Sequence, residues 1–468
     1  MGHDDRMAAN LARELPDDLR SVRHYRHLAE EGDPRAQDTL GVLYDKGRGV
    51  PRDAAEAVKW FRKAAEQGYA RAQDNLGVMY DKGQGVAQDH AEATRWFQKA
   101  AAQGDTRAQY NLASMYDRGR GVTQDHVEAA KWYRMAAEHG DTRARSILGT
   151  MYERGRGVQL DYAEALKWYL MAAEQGDVLA QYNLGAVYER GRGIRQDYAE
   201  AAVWHRKAAD QGYARAQFNL GVLYDKGRGV LKSYAEAVKW FRKAADQGHA
   251  RAQFNIAVKY ERGQGVPQNN AGAINWYRKA ALQGDAAAQN NLGSMYATGR
   301  GVPKDYAEAM SWYRKAAELG DTAAQNNLGS MYATGRGVKA DYVEALKWYR
   351  MAADQGDPAG ENNVGSMYAM GHGVRKDYAE ALKWYRKAAD QGDASAHANV
   401  GNMYAMGRGI RKDYVMAHVS FAIAALRYAD ADAESREQAK RNRDLVASKL
   451  KPDQLEEARR LIREWTSK

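Results

Sequence analysis

An arginine stands at Arg35, Arg71, Arg107, Arg143, Arg215 and Arg251, and an asparagine follows four residues after several of them, at Asn75, Asn111, Asn219 and Asn255. On a helix that spacing puts both side chains on one face. A guanidinium can grip a carboxylate with two parallel hydrogen bonds, and an amide can serve a peptide N–H and C=O at once. Repeated along a surface, the pair would hold an extended acidic peptide. Aromatic side chains interleave with it at Tyr110, Tyr182, Phe218 and Phe254, and Asn183 continues the amide series where Leu179 replaces the arginine. The candidate peptide-binding residues are therefore Arg71, Asn75, Arg107, Tyr110, Asn111, Tyr182, Asn183, Arg215, Phe218, Asn219, Arg251, Phe254 and Asn255. A structural role fits the same residues: Asn would tie neighbouring elements together and Arg would pair with a nearby Asp or Glu.

Charge adds to the interest of one stretch. Residues 213–284 hold 12 Lys+Arg against 4 Asp+Glu, a net +8 of the chain's formal +10. Such a field speeds association with acidic partners and is screened by salt. Nucleic acid is the alternative ligand for these basic repeats, since Tyr182, Phe218 and Phe254 among arginines could stack bases. Against it, most of the charge elsewhere is balanced locally.

Other chemistry finds no support. The chain has no Cys, which removes thiol catalysis, thiolate metal sites and disulfides. Its 11 His are scattered, with His24 and His27 the closest pair and no third ligand in view, so no metal or cofactor is expected. Ser448 and Lys451 spell S-x-x-K without its companion motifs. Carboxylates such as Asp53 and Glu56 recur too often to be a unique catalytic pair. The expectation is a protein that is not an enzyme.

The elements that carry these residues repeat. Trp recurs ten times from Trp60 to Trp384 at a spacing of 36, Tyr recurs from Tyr44 to Tyr404 on the same period, and a G-x-G follows each Tyr, as at Gly47 and Gly49. Residues 33–428 thus form eleven units. In each, Ala36, Leu40, Gly41 and Tyr44 lie at helical spacing. Asp53 then opens a second run with Ala57, Trp60, Ala64 and Ala65. The glycines suit a left-handed turn between two helices, and they are turns, not phosphate loops, because they recur after helices with no Lys-Ser/Thr behind them. Gly41 would let the two helices approach, with Trp60 and Tyr44 filling the layer beside them.

One hairpin cannot bury its apolar face, but stacked copies can. The expected fold is all-α: a right-handed α/α superhelical solenoid of eleven 36-residue helical hairpins with capping helices. Residues 1–32 read as an N-terminal half unit and 429–468 as C-terminal capping helices. Within the repeats, 33–284 form a charged and aromatic block and 285–428 a neutral one, because the Arg, aromatic and acidic series all lapse near residue 284. The neutral block, with Met370 and Met406, offers a smooth face for another chain or a second copy. The oligomeric state stays open.

No stretch is apolar enough to span a membrane, and the opening MGHDDRMAANLAREL lacks the apolar run of a secretory signal. That favours the cytoplasm, or the periplasm had a signal been removed.

Ala72, Leu76, Gly77, Tyr80, Gly83, Gly85, Val86, Asp89, Ala93, Trp96, Ala100 and Ala101 together resemble the Sel1-like repeat family, relatives of the tetratricopeptide repeats. The resemblance covers the eleven units. It implies a non-catalytic adaptor or scaffold for protein partners, in bacterial signalling, envelope regulation, virulence or eukaryotic quality control. It also implies a concave face built from the first helices, where related clamps hold a peptide carboxylate with Asn and a basic residue one turn earlier. Members stapled by disulfides are less similar to this chain.

Overall fold

The computed structural model describes residues 17–429 and 432–466. Among them are 25 helices and no strand. They fall into two compact units, residues 1–232 and 233–468, each a stack of helical hairpins. The stretch that bears on a secretory signal, and half of the proposed N-terminal cap, lie outside the described residues.

One repeat illustrates the rest. Helix Ala70–Lys82 ends at Gly83, whose φ of 65° only glycine adopts freely. Helix His90–Ala102 begins at Asp89, whose carboxylate accepts the Glu92 N–H at 2.9 Å and so satisfies a free helix-end donor. The second glycine, Gly85, serves packing between repeats. A Cβ there would lie 2.1 Å from the Ala54 carbonyl oxygen of the preceding second helix.

Inside a hairpin the ring lying on the glycine belongs to the residue after Trp. A Cβ on Gly41 would meet Phe61, and one on Gly77 would stand 2.7 Å from the Phe97 ring. Trp packs one repeat further back: Trp96 joins Ala57, Val58, Phe61, Ala64 and Ala65 of the preceding hairpin, with Leu76 and Met79 of its own. Trp60 and Tyr44 lie together in a cluster with Ala36 and Leu40, while the ring on Gly41 itself is Phe61. Phe61, like the Tyr at that place in other repeats, lies on the glycine, and Trp60 packs on the preceding interface with Val22 and Ala29.

Two polar ladders join repeats. Gln73 donates to the Ala65 carbonyl at 3.0 Å and accepts from Gln103 at 2.7 Å, satisfying a buried amide from both sides. Nearer the surface, Arg62 donates to the Tyr80 hydroxyl at 2.8 Å, a contact repeated by Arg278 with Tyr296 and Arg386 with Tyr404.

At the N-terminal end, helix Asp17–Glu30 supplies Val22 and Ala29 to a cluster with Ala36, Leu40 and Trp60. At the other end, helix Tyr414–Arg427 buries Ser420 where Trp stands elsewhere. Helices Ala433–Ala447 and Pro452–Thr466 both pack on it, the second through Ala458, Leu461, Ile462 and Trp465. Among the described residues, no helix is long and apolar enough to cross a membrane.

Candidate peptide-binding face

The candidate side chains all project from first helices, on a stripe that the hairpin packing leaves partly open. In residues 1–232 the stripe begins with two acids, Asp38 and Asp74, both almost wholly buried. Asn75 donates to Asp38 at 2.7 Å and Arg71 Nε lies 3.2 Å from the same carboxylate. One repeat later Asn111 donates to Asp74 at 2.7 Å, and Arg107 reaches both Asp74 and Asn75. Burial pushes both carboxyls above the ordinary aspartate range; the Asn amides and the nearby guanidinium groups of Arg71 and Arg107 pull the other way. Four of the candidate residues are therefore joined to internal acids.

Further along, aromatic rings take the place of the acids. Arg143 lies over the Tyr110 ring, 4.1 Å from its centre, and pairs with Asp141 at 2.8 Å. Tyr182 packs against His205 at 5.6 Å and Tyr213 at 5.1 Å between ring centres. Asn219 lies 3.5 Å from His205 Nε2, whose other neighbour is Glu189 at 3.4 Å. The His205 contact holds the Glu189 carboxyl below its ordinary range. Phe218 is half-buried. Among the described residues, Asn183 and the exposed Arg215 have no hydrogen-bond or ion-pair partner.

In residues 233–468 the stripe opens with Arg251, Phe254 and Asn255. Phe254 packs against Tyr277 at 5.8 Å. Arg251 is exposed, and neither it nor Asn255 has a polar partner among the described residues. Beyond the aromatic block the amides pair with one another: Asn327 donates to Asn290 at 2.9 Å, Asn363 to Asn326 at 3.1 Å and Asn399 to Asn362 at 2.9 Å. The amide series thus ties repeats where the preceding repeat carries Asp38, Asp74, Asn290, Asn326 or Asn362 at the facing position. Met370 and Met406 are exposed beside it.

Acids that stand at the Asp45 position of the repeats as far as Glu261 are also engaged. Asp117 faces His126 at 3.0 Å and Arg156 at 3.1 Å, and Glu261 accepts from Tyr277 at 2.7 Å and Arg300 at 2.8 Å. A feature absent from the candidate set is Lys259, buried at a position where other repeats carry Leu, Met or Val. It donates to Gln264 at 3.0 Å and lies over the Tyr234 ring at 4.3 Å. Its one signal in the sequence is the break in an apolar series. Among the described residues, no three His, Cys, Asp or Glu side chains group as a metal site.

The Sel1 repeat pattern matches eleven consecutive stretches, from 34–69 and 70–105 at an unbroken step to 358–393, then 394–419. The chain belongs to the Sel1 repeat family. It is 38% identical to a protective antigen present in uropathogenic Escherichia coli strains, c5321, whose crystal structure displays an SLR fold; the match covers 96% of this chain and 94% of that one, with a TM-score of 0.86. It is 34% identical to a Sel1 repeat protein from Oxalobacter formigenes over 66% of this chain and 90% of that one, with a TM-score of 0.55. The comparison with curated proteins gave no match. Sel1 repeat proteins are in general protein-interaction scaffolds.

Proposed function

We propose that this Sel1 repeat chain is a non-catalytic scaffold that holds a partner protein through an acidic, partly aromatic peptide segment lying on its first-helix face. One contrast carries the reading. Arg71 pairs in charge with buried Asp38, and Asn75, Arg107 and Asn111 hydrogen-bond to buried acids of the chain itself. Arg215, Asn183, Arg251 and Asn255 have the same side chains on the same stripe and no such partner among the described residues. Unpaired cationic and amide donors beside aromatic rings are the groups that recognise a peptide with carboxylates. Each compact unit offers its own set: Tyr182, Asn183, Arg215 and Asn219 in the first, Arg251, Phe254 and Asn255 in the second.

The test is affinity capture from source-cell lysate at low and moderate salt, comparing the natural chain with one carrying Ala at Arg215, Asn219, Arg251 and Asn255. Loss of a protein partner in the variant, and weaker capture at higher salt, supports the reading. An unchanged set of captured proteins overturns it and moves the search to the neutral face around Met370 and Met406. The excess of cations in residues 213–284 favours one second reading, a nucleic acid ligand. Capture abolished by nuclease would establish that instead.

A further inference from the structure

Two carboxylates of the chain already occupy the grip that the candidate face offers. Asp38 sits between Asn75 at 2.7 Å and Arg71 at 3.2 Å, and Asp74 sits between Asn111 at 2.7 Å and Arg107. Each acid precedes its Arg by 33 residues and its Asn by 37, which places it on the first helix of the preceding repeat. Tyr182 holds that place ahead of Arg215 and Asn219. There the internal acid is missing. The Tyr182 hydroxyl and the Arg215 guanidinium have no hydrogen-bond partner among the described residues. The Asn219 amide reaches the His205 ring at 3.5 Å, the outer limit of a hydrogen bond.

We propose that Tyr182, Arg215 and Asn219 form a clamp for the side-chain carboxylate of an Asp or Glu in a partner peptide, filled from outside where Asp38 and Asp74 fill the equivalent clamps from within. The proposal rests on the partner-binding reading above and names the chemistry of its contact. All three groups can donate and a carboxylate has about four lone-pair directions to receive them. Tyr182 puts a neutral hydroxyl, which can donate, where Asp38 and Asp74 put a carboxylate, so the negative charge that faces Arg71 and Arg107 is missing before Arg215. The occupants seen at Asp38 and Asp74 are side chains whose backbone continues on both sides, so no chain terminus is required. The rings of Tyr182, His205 and Tyr213 lie together beside the clamp, which suits a peptide with an aromatic residue next to the acid.

The experiment uses the full chain and a fluorescein-labelled, acetylated and amidated peptide with two Glu flanking a Trp, read by anisotropy at low salt. Controls are the same peptide with Gln for Glu, the Gln peptide with a free C-terminus, and a single-stranded oligonucleotide. The Glu peptide is expected to bind about ten-fold or more tightly than either Gln peptide, as charge-assisted hydrogen bonds imply. Tyr182→Asp would supply an internal occupant, and it should weaken the Glu peptide by about ten-fold. Arg215→Gln alters an exposed side chain, leaves the fold intact and should do the same. Asp74→Ala added to Arg215→Gln empties the clamp of Arg107 and Asn111 and should restore binding. Equal binding of Glu and Gln peptides, binding of the free-terminus Gln peptide as tight as the Glu peptide, or preference for the oligonucleotide overturns the clamp. If the four-Ala variant loses its protein partner while Tyr182→Asp binds the Glu peptide as the natural chain does, the scaffold reading stands and the clamp alone falls.

Discussion

Gly85 passes so close to Ala54 that a Cβ on it would lie 2.1 Å from the Ala54 carbonyl oxygen. The contact joins the turn of one repeat to the second helix of the repeat before it, and the φ of 70° at Gly85 independently disfavours any other residue. Gly85→Ala should therefore lose the conformational term and force two hairpins apart, costing about 2 kcal/mol or more. Gly68 provides the control: its φ is 90° but a Cβ there meets nothing within 4 Å. Gly68→Ala should cost only the backbone term, about 1 kcal/mol. Thermal unfolding of the two variants side by side separates them, and equal losses would mean the close approach is not what fixes the glycine.

The Arg62–Tyr80 hydrogen bond makes a second, milder prediction. It lies near the surface and links repeats through neutral oxygen, so Tyr80→Phe should cost about 0.5–1.5 kcal/mol. Combined with Tyr332→Phe, which removes the equivalent bond from Arg314, the losses should add, because each repeat contacts only its neighbours. Urea unfolding of the single and double variants checks this; strong non-additivity would contradict independent inter-repeat ties.

These contacts mark where the sequence stops being legible. The period of Trp60 and its nine successors exposes the hairpin because each signal lies within one repeat. The Gly85–Ala54 approach spans the boundary between repeats, and nothing local to Gly85 distinguishes a turn glycine from a packing glycine. Phe61 hides beside Trp60 because both are large and apolar; only the position of the partner glycine tells which ring lies inside the hairpin. At the candidate face, the Arg–Asn pairing was readable from the i, i+4 spacing. Its internal occupants were not, since Asp38 and Asp74 belong to the preceding repeat and look like members of the same open stripe.

Asp74 gives a pH prediction. Burial raises its carboxyl above the ordinary 3.8, so between that value and its folded value the folded chain holds a proton that the unfolded chain has lost. Stability contributed at this site thus falls as pH rises through the window and is flat above it. Asp74→Asn removes the titration but keeps an amide oxygen for Asn111, as Asn290 serves Asn327. The variant should be at least as stable as the natural chain at pH 7, with the difference shrinking toward zero on acidification. Urea unfolding across pH 3–7 reads it; a large loss at pH 7 would show that the Arg107 ion pair outweighs the burial of charge.

His397 titrates in the opposite sense. It takes the place of the buried Gln of other repeats, and Trp465 of the last helix meets its ring edge-on at 5.5 Å, with Arg427 over the indole at 4.8 Å. Burial first, then Arg427, lowers its pKa from 6.5 to about 4. Facing groups of either sign are accounted for by Arg427, Asp390 and the Ala389 carbonyl, the last two of which only partly offset the shift. The unfolded chain gains a proton below pH 6.5 that the folded chain refuses until about pH 4, so stability is lost as pH falls through that interval. At about 1.4 kcal/mol per unit the loss approaches about 3 kcal/mol by pH 4. His397→Gln restores the side chain used elsewhere and should flatten the slope. Because protonation places a second cation near Arg427 and against Trp465, the terminal helix should loosen first. Hydrogen exchange across Pro452–Thr466 at pH 7 and pH 4.5, in the natural chain and in His397→Gln, should show faster exchange at low pH only where the histidine is present; the same acceleration in both would place the acid sensitivity elsewhere.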